Sequence, residues 1–327
     1  MRLVLRLAAI AVVGIILSLT LHGWATRAAD TPAPPASAHR LFSSGFEGTT
    51  ALLAPSSFYG TGAWQGLVGI DSISGFAWPP VIWGGGVTAF QLLVDAPIDP
   101  VIVDSYMVNQ IQTVTGRDGN ATRALYSEIK QSGCCGTNPQ GGGPTQDPFM
   151  IQPLAETSDL YISYWLKHQP NFADLMQVGQ AGTGWNWRVV FEWKTAGDYR
   201  VIAMIKRDPY FNGGNLFWHI VGDNEANGGL PYQQFWEVYN PAAVPIIGEW
   251  FKFEVFWHRS DGNNGRVWMA VNGQVIVDHY GPNKGIYNAA INRIMVSQLY
   301  TSSSYPIYQW VDDVEIWDGF PPDAAPH

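Results

Sequence analysis

The sequence predicts an all-β protein, a two-sheet antiparallel sandwich of the jelly-roll type with at most one or two short helices. Three observations predict it. Apolar residues recur with period two in segment after segment. The segments are parted by loops rich in Gly, Asn and Pro, and no charge-rich linker interrupts them. One pair of segments is joined by Asn272-Gly273, a two-residue turn that tolerates positive φ.

Residues 1–29 read as a secretory signal peptide. Arg2 and Arg6 precede an apolar run from Leu7 to about Leu21, and the small residues from Ala25 to Ala29 offer a cleavage site. An uncleaved anchor helix is the alternative, because the run falls only slightly short of the ~20 residues that span a bilayer. No cysteine directly follows the run, which argues against a lipid anchor. Residues 30–40 form a Pro/Ala-rich linker. Residues 41–327 are expected to make a single domain, with a split near Gly141–Pro144 as the alternative. The protein is expected to be secreted or periplasmic, without membrane attachment after cleavage, and monomeric.

Within the domain, DLYISYWLK sets Leu160, Ile162, Tyr164 and Leu166 on one face. WNWRVVFEWK sets Trp187, Val189, Phe191 and Trp193 against Arg188, Val190, Glu192 and Lys194. WFKFEVFWHR sets Phe251, Phe253, Val255 and Trp257 against Lys252, Glu254, Phe256 and His258. RVWMAVNGQVIVDHYG is a hairpin, and IMVSQLY and YQWVDDVEIW are late strands. One short helix is expected from about Ser105 to Gln112.

Charged residues make up only 14% of the chain and aromatics 13%, with a net charge of −9. Nucleic-acid binding needs a basic stripe to neutralise phosphates, so that class is excluded. Many Trp and Tyr with Gly and Asn suit a polysaccharide or oligosaccharide partner, since sugar rings stack on aromatic faces and their hydroxyls pair with amides. An acidic chain takes a polyanionic glycan only where its Arg and Lys gather in one groove. There is no HExxH or His cluster at metal spacing, no Gly-x-Ser-x-Gly elbow and no phosphate-cradling loop. Catalysis is therefore expected to need no cofactor.

Alternate residues on a strand share a face, so Glu128 pairs with Lys130, Arg188 with Glu192 and Lys194, and Lys252 with Glu254 and His258. His219, flanked on its face by Phe217 and Val221, is the first candidate base and His258 the second. Asn212 and Asn224 lie in amide- and Gly-rich loops that would rim a sugar groove. Each of these groups also has a bland reading, as a packed residue or a solvated strand face.

YSEIK, Tyr126 to Lys130, is similar to an Arg-Ser-Glu-Leu-Arg strand, with Tyr126 in place of the first Arg. GEWFKFEVFWHRSDGNNGRVWMAVNGQVIVD resembles a long lectin-like hairpin, and HYGPNKGIYN resembles a Tyr-x-Lys-x-Gly-x-Tyr segment. Together they resemble the jelly-roll polysaccharide lyases of the alginate, glucuronan and heparin lyase type, within the concanavalin A-like superfamily. The resemblance implies β-elimination on a uronate-containing glycan, with His219, Tyr287, Tyr280, Lys130 and Arg188 as catalytic groups. Glu128, Glu192, Lys194, His258, Asn212 and Asn224 would contact substrate. A lectin-like glycan-binding protein without catalysis and a structural envelope protein are the alternatives.

FSSGFEG and WVDDVEIWDGF resemble the first and last strands of concanavalin-like and carbohydrate-binding jelly rolls. That resemblance implies paired termini and a structural calcium held by Glu47 with Asp312 or Asp313.

The two cysteines, Cys134 and Cys135, are adjacent. Export permits a disulfide. A trans peptide holds neighbouring Cα atoms about 3.8 Å apart, below the ~4.4–6.8 Å usual for a bridge. A vicinal disulfide there would brace a loop rather than close one; two thiols or an intermolecular bridge are the alternatives.

Overall fold

The structure is a computed structural model that describes residues 38–54, 56–58, 62–78, 88–93, 107–130, 145–151, 158–176, 186–195, 198–224, 231–243, 245–289, 291–297, 299 and 306–327. The expected signal peptide, most of the linker, the Gly141–Pro144 boundary and Cys134-Cys135 lie outside the described residues. The chain from Ser37 to His327 forms one compact unit.

Two antiparallel sheets hold all the described strands. The first contains, in spatial order, Gln274–Tyr280 (β17), Arg266–Val271 (β16), Trp250–His258 (β15), Asp159–His168 (β10), Ile307–Trp317 (β19), Ala121–Ile129 (β8) and Met107–Thr115 (β7). Arg40–Ser44 (β1) adds to β19, so the first and last strands pair as the sequence suggests. The second contains Gln234–Asn240 (β14), Leu216–Asp223 (β13), Arg200–Arg207 (β12), Asn186–Thr195 (β11), Ile291–Val296 (β18), Thr145–Ile151 (β9), Thr88–Leu93 (β6), Gly62–Ile70 (β4) and Ala51–Leu52 (β2). Ser56–Phe58 (β3) and Ala77–Trp78 (β5) pair with β4. The one short α-helix among the described residues is Phe172–Leu175 (α1).

The sheets meet through the faces that the period-two pattern selects. Ile162, Tyr164 and Leu166 of β10 and Phe251, Phe253, Val255 and Trp257 of β15 are buried in one core with Phe191, Trp193, Trp218 and Ile220 of the second sheet. Rings tie the layers together: Trp193 lies 4.7 Å from Trp257, and Trp218 lies 5.8 Å from Phe253. Asn272 and Gly273 turn β16 into β17 with φ of 46° and 80°, the left-handed pair that this turn requires.

Two expectations are corrected. The helix expected at Ser105–Gln112 is strand β7, paired along its length with β8 from Met107↔Ile129 to Thr115↔Ala121. The open edge of β8 supplies a full ladder that a lone two-turn helix lacks. In β11, Val190 is a bulge, the extra residue between the pairs Val189↔Met204 and Phe191↔Ala203. It reverses the alternation, so Arg188 and Val190 point inward on one side of it while Glu192 and Lys194 point outward on the other. The expected Arg188/Glu192/Lys194 row does not form.

Candidate active site

The outer face of the second sheet gathers acid–base groups. In β12 and β13, Ala203, Ile205, Trp218 and Ile220 enter the core, which turns Met204, Lys206, His219 and Val221 outward. Cross-strand pairing sets His219 between Met204 and Tyr239, and Val221 beside Glu237. His219 Nε2 meets Glu237 Oε2 at 3.0 Å, and its ring stacks on Tyr239 with centroids 4.4 Å and planes 19° apart. Glu237 and Tyr239 lie two residues apart on β14 and so share a face.

Burial, helped by the neighbouring Lys206, pushes His219 down to about 4. Burial likewise pushes Lys206 down to about 7, against the pull of Glu237 and Asp208. Burial works to raise Glu237, but hydrogen bonds from His219, Gln234 and Tyr239 outweigh it and hold the carboxyl below its ordinary value. Burial and Glu237 push Tyr239 up to about 12. Near pH 7 the cluster therefore holds a neutral imidazole, an ionised carboxylate, a protonated phenol and a lysine poised between its two forms. Separated acid–base values of this kind mark acid–base sites. His219 and Lys206 are buried, at 4% and 3% exposure, while Tyr239 is 41% exposed and forms the accessible edge.

Beside the cluster an ionic row crosses β11, β12 and β13. Arg200 clamps Asp223 with two hydrogen bonds of 2.8 Å and reaches Glu192 at 3.6 Å; Lys194 meets Glu192 at 3.2 Å. Glu192 and Lys194 thus lie on the same outer face as His219, bound to each other.

The remaining expected residues lie elsewhere. Arg188 is fully buried, its guanidinium 4.8 Å from the Phe172 ring of α1. Glu128 accepts the Tyr126 hydroxyl on the outer face of the first sheet, because Leu125, Ser127 and Ile129 take the inward positions. Lys130, just beyond β8, lines a groove of about 770 Å3 with Arg123, Gln65, Asn109 and Gln110. YSEIK therefore lies on the sheet opposite His219. His258 pairs with Asp159 at 2.9 Å, also in the first sheet. Tyr280 is exposed over Arg266. Tyr287 is exposed as well, and its backbone N–H donates to Asp198 in the β11–β12 turn. Asn212 donates to Leu216 O; Asn224 braces its loop through Pro231 O and Gln233 N.

At the β1–β19 seam the three expected acids divide. Thr122 Oγ1 lies 3.4 Å from Glu47 and 3.2 Å from Asp312. Asp313 turns to Arg117. Burial and Asp313 push Asp312 up to about 7. Among the described residues no three His, Cys, Asp or Glu side chains are placed to hold a metal ion. Glu47 and Asp312 are hard oxygen donors that suit calcium, and backbone carbonyls would have to complete the set.

The sequence alone does not single out Lys206, Glu237 and Tyr239. RVIAMIKR carries a legible signal, for its alternation places Lys206 on the face of Met204 and Ile202. The Glu237 and Tyr239 contacts depend on strand register and leave no local trace.

No protein-family model and no curated protein matches the chain. Among solved structures, the alginate lyase Aly36B is similar over 84% of this chain and 99% of its own, with 14% identity and a TM-score of 0.43. The endo-beta-1,4-glucuronan lyase of the fungus Trichoderma reesei is similar over 64% and 86%, with 12% identity and a TM-score of 0.42. The binding domain of botulinum neurotoxin DC is similar over 65% and 43%, with 11% identity and a TM-score of 0.35. Likenesses this remote carry no activity across to the chain.

Proposed function

We propose that the protein is an exported polysaccharide lyase-like enzyme that cleaves a uronate-containing glycan by β-elimination. The observation that carries the reading is the Lys206–His219–Glu237–Tyr239 cluster on the outer face of the second sheet. Lys206 faces the substrate carboxylate and stabilises the enolate-like charge that develops there. The Glu237 carboxylate takes the C5 proton, with His219 holding it in place through Nε2–H. The electron pair left at C5 forms the C4–C5 double bond, and the C4–O bond breaks. Tyr239 gives its proton to the leaving oxygen. Return of the proton from Glu237 to the phenolate restores both groups.

Incubation with uronate polysaccharides, followed at about 235 nm where the unsaturated product absorbs, tests this. A lectin-like role without catalysis is the competing reading, favoured by the slight exposure of His219 and Lys206. Glycan binding with no absorbance change would select it. Secretion or periplasmic export, a monomeric state and a calcium ion held by Glu47 and Asp312 belong to the proposal. The calcium is structural, and no catalytic step uses it.

A further inference from the structure

The outer face of the first sheet is divided in two. Over β10, β15 and β16 it is covered by the segment after β19: Phe320 packs 4.1 Å from Phe256 and 5.1 Å from Trp268, and His327 stacks on Phe320. Farther along, no such cover lies among the described residues. Register sets Tyr126, Trp310, Lys167 and Trp250 side by side on β8, β19, β10 and β15. Their inward neighbours Leu125, Val311, Leu166 and Phe251 lie in the core, so these four side chains point out.

The strip is preorganised. The Trp310 indole N–H donates to Gln112 Oε1 at 3.0 Å, the Trp250 N–H to Thr115 O at 2.9 Å, and the Tyr126 hydroxyl to Glu128. Tyr126 and Tyr308 each lie near Trp310, at 5.3 Å. With the polar ends tied to the sheet, the rings offer apolar surface at little entropic cost. Lys167 Nζ stands 5.7 Å from the Trp310 ring and 6.0 Å from the Trp250 ring. Its only described interactions are with these two indoles, so its charge is not neutralised by a carboxylate among the described residues.

We propose that this strip is a second glycan site, for an extended uronate-bearing chain. The sugar rings lie on Tyr126, Trp310 and Trp250, and a uronate carboxylate pairs with Lys167. From Tyr126 to Trp250 the strip crosses three strand spacings, about 14 Å and so about three pyranose rings. It lies on the sheet opposite His219, so it would hold a long polymer without taking part in cleavage. The site stands on its own geometry, whether or not the His219 cluster is catalytic.

Native affinity electrophoresis of the full chain in gels containing alginate, polygalacturonate or hydroxyethyl cellulose tests it. The wild type is expected to be retarded by the two uronate polymers and not by the neutral one. Lys167→Met, which keeps the apolar stem, should weaken retardation about tenfold. Trp250→Ala/Trp310→Ala should weaken it further, with circular dichroism reporting whether the fold is kept. Lys206→Met, which removes the charge proposed to meet the substrate carboxylate at the His219 cluster, should still be retarded, which separates this site from the proposed catalytic one. Absence of retardation by any polymer, equal retardation by the neutral polymer, or wild-type retardation of Lys167→Met would each overturn the proposal.

Discussion

The His219 imidazole lies flat against the Tyr239 ring, 4.4 Å between centroids, while its Nε2 meets Glu237 Oε2 at 3.0 Å. One residue thereby fixes both groups that reach solvent from this cluster. The pairing comes from adjacent strands in register, His219↔Tyr239 and Val221↔Glu237, so the geometry is built on rigid elements rather than loops.

Tyr239→Phe removes the proton donor and keeps the stacking surface. The kcat on a uronate polymer should fall about 100-fold or more, with KM and Tm little changed. Glu237→Gln should show a similar loss. An unchanged kcat in both variants removes them from the reaction.

The alkaline limb of activity should follow Lys206. With its value pushed down to about 7, the residue loses its charge as the pH rises through that range, and kcat/KM for a uronate substrate falls. Lys206→Arg stays charged and should keep its activity at pH 9. His219 is neutral above about 4, so no inflection near the ordinary histidine value is expected.

Stability should also report Lys206. Its folded value lies below the unfolded one, so the unfolded chain binds more protons between about 7 and 10.4, and stability rises with pH across that window. Lys206→Met should flatten the rise and increase Tm at pH 6. Thermal melts from pH 6 to 10 measure both effects.

Arg188 is a core residue over Phe172 and should behave as one. Arg188→Ala should lower stability in urea unfolding through lost packing against Phe172, with KM unchanged for whatever fraction remains folded. A variant of wild-type stability with a raised KM would place Arg188 at substrate instead.

Calcium at the seam predicts a higher Tm at pH 8 in calcium than in EGTA. Asp312→Asn should abolish the difference, whereas Asp313→Asn, whose carboxylate pairs with Arg117, should retain it. Equal Tm values in calcium and EGTA would leave the Glu47–Asp312 pair without a metal.

Strand β10 and the β16–β17 hairpin were legible because period-two burial and an Asn-Gly turn are local signals. The bulge at Val190 was not. WNWRVVFEWK keeps an unbroken alternation on paper, and only the pairing with β12 reveals the extra residue that sends Arg188 inward. His219 could be singled out from its strand, but Tyr239 and Glu237 reach it across a register that no single segment encodes. YSEIK resembles a strand, and β8 is one. Its sheet and face were decided by pairing with β19 and β7, which placed Glu128 and Lys130 away from His219.

The central claim is best tested by following absorbance at about 235 nm while the wild type and Tyr239→Phe act on a panel of uronate polymers. The account predicts a rise with the wild type on at least one polymer, and a rate at least about 100-fold lower with the variant. No rise on any polymer, or equal rates for both proteins, would contradict it.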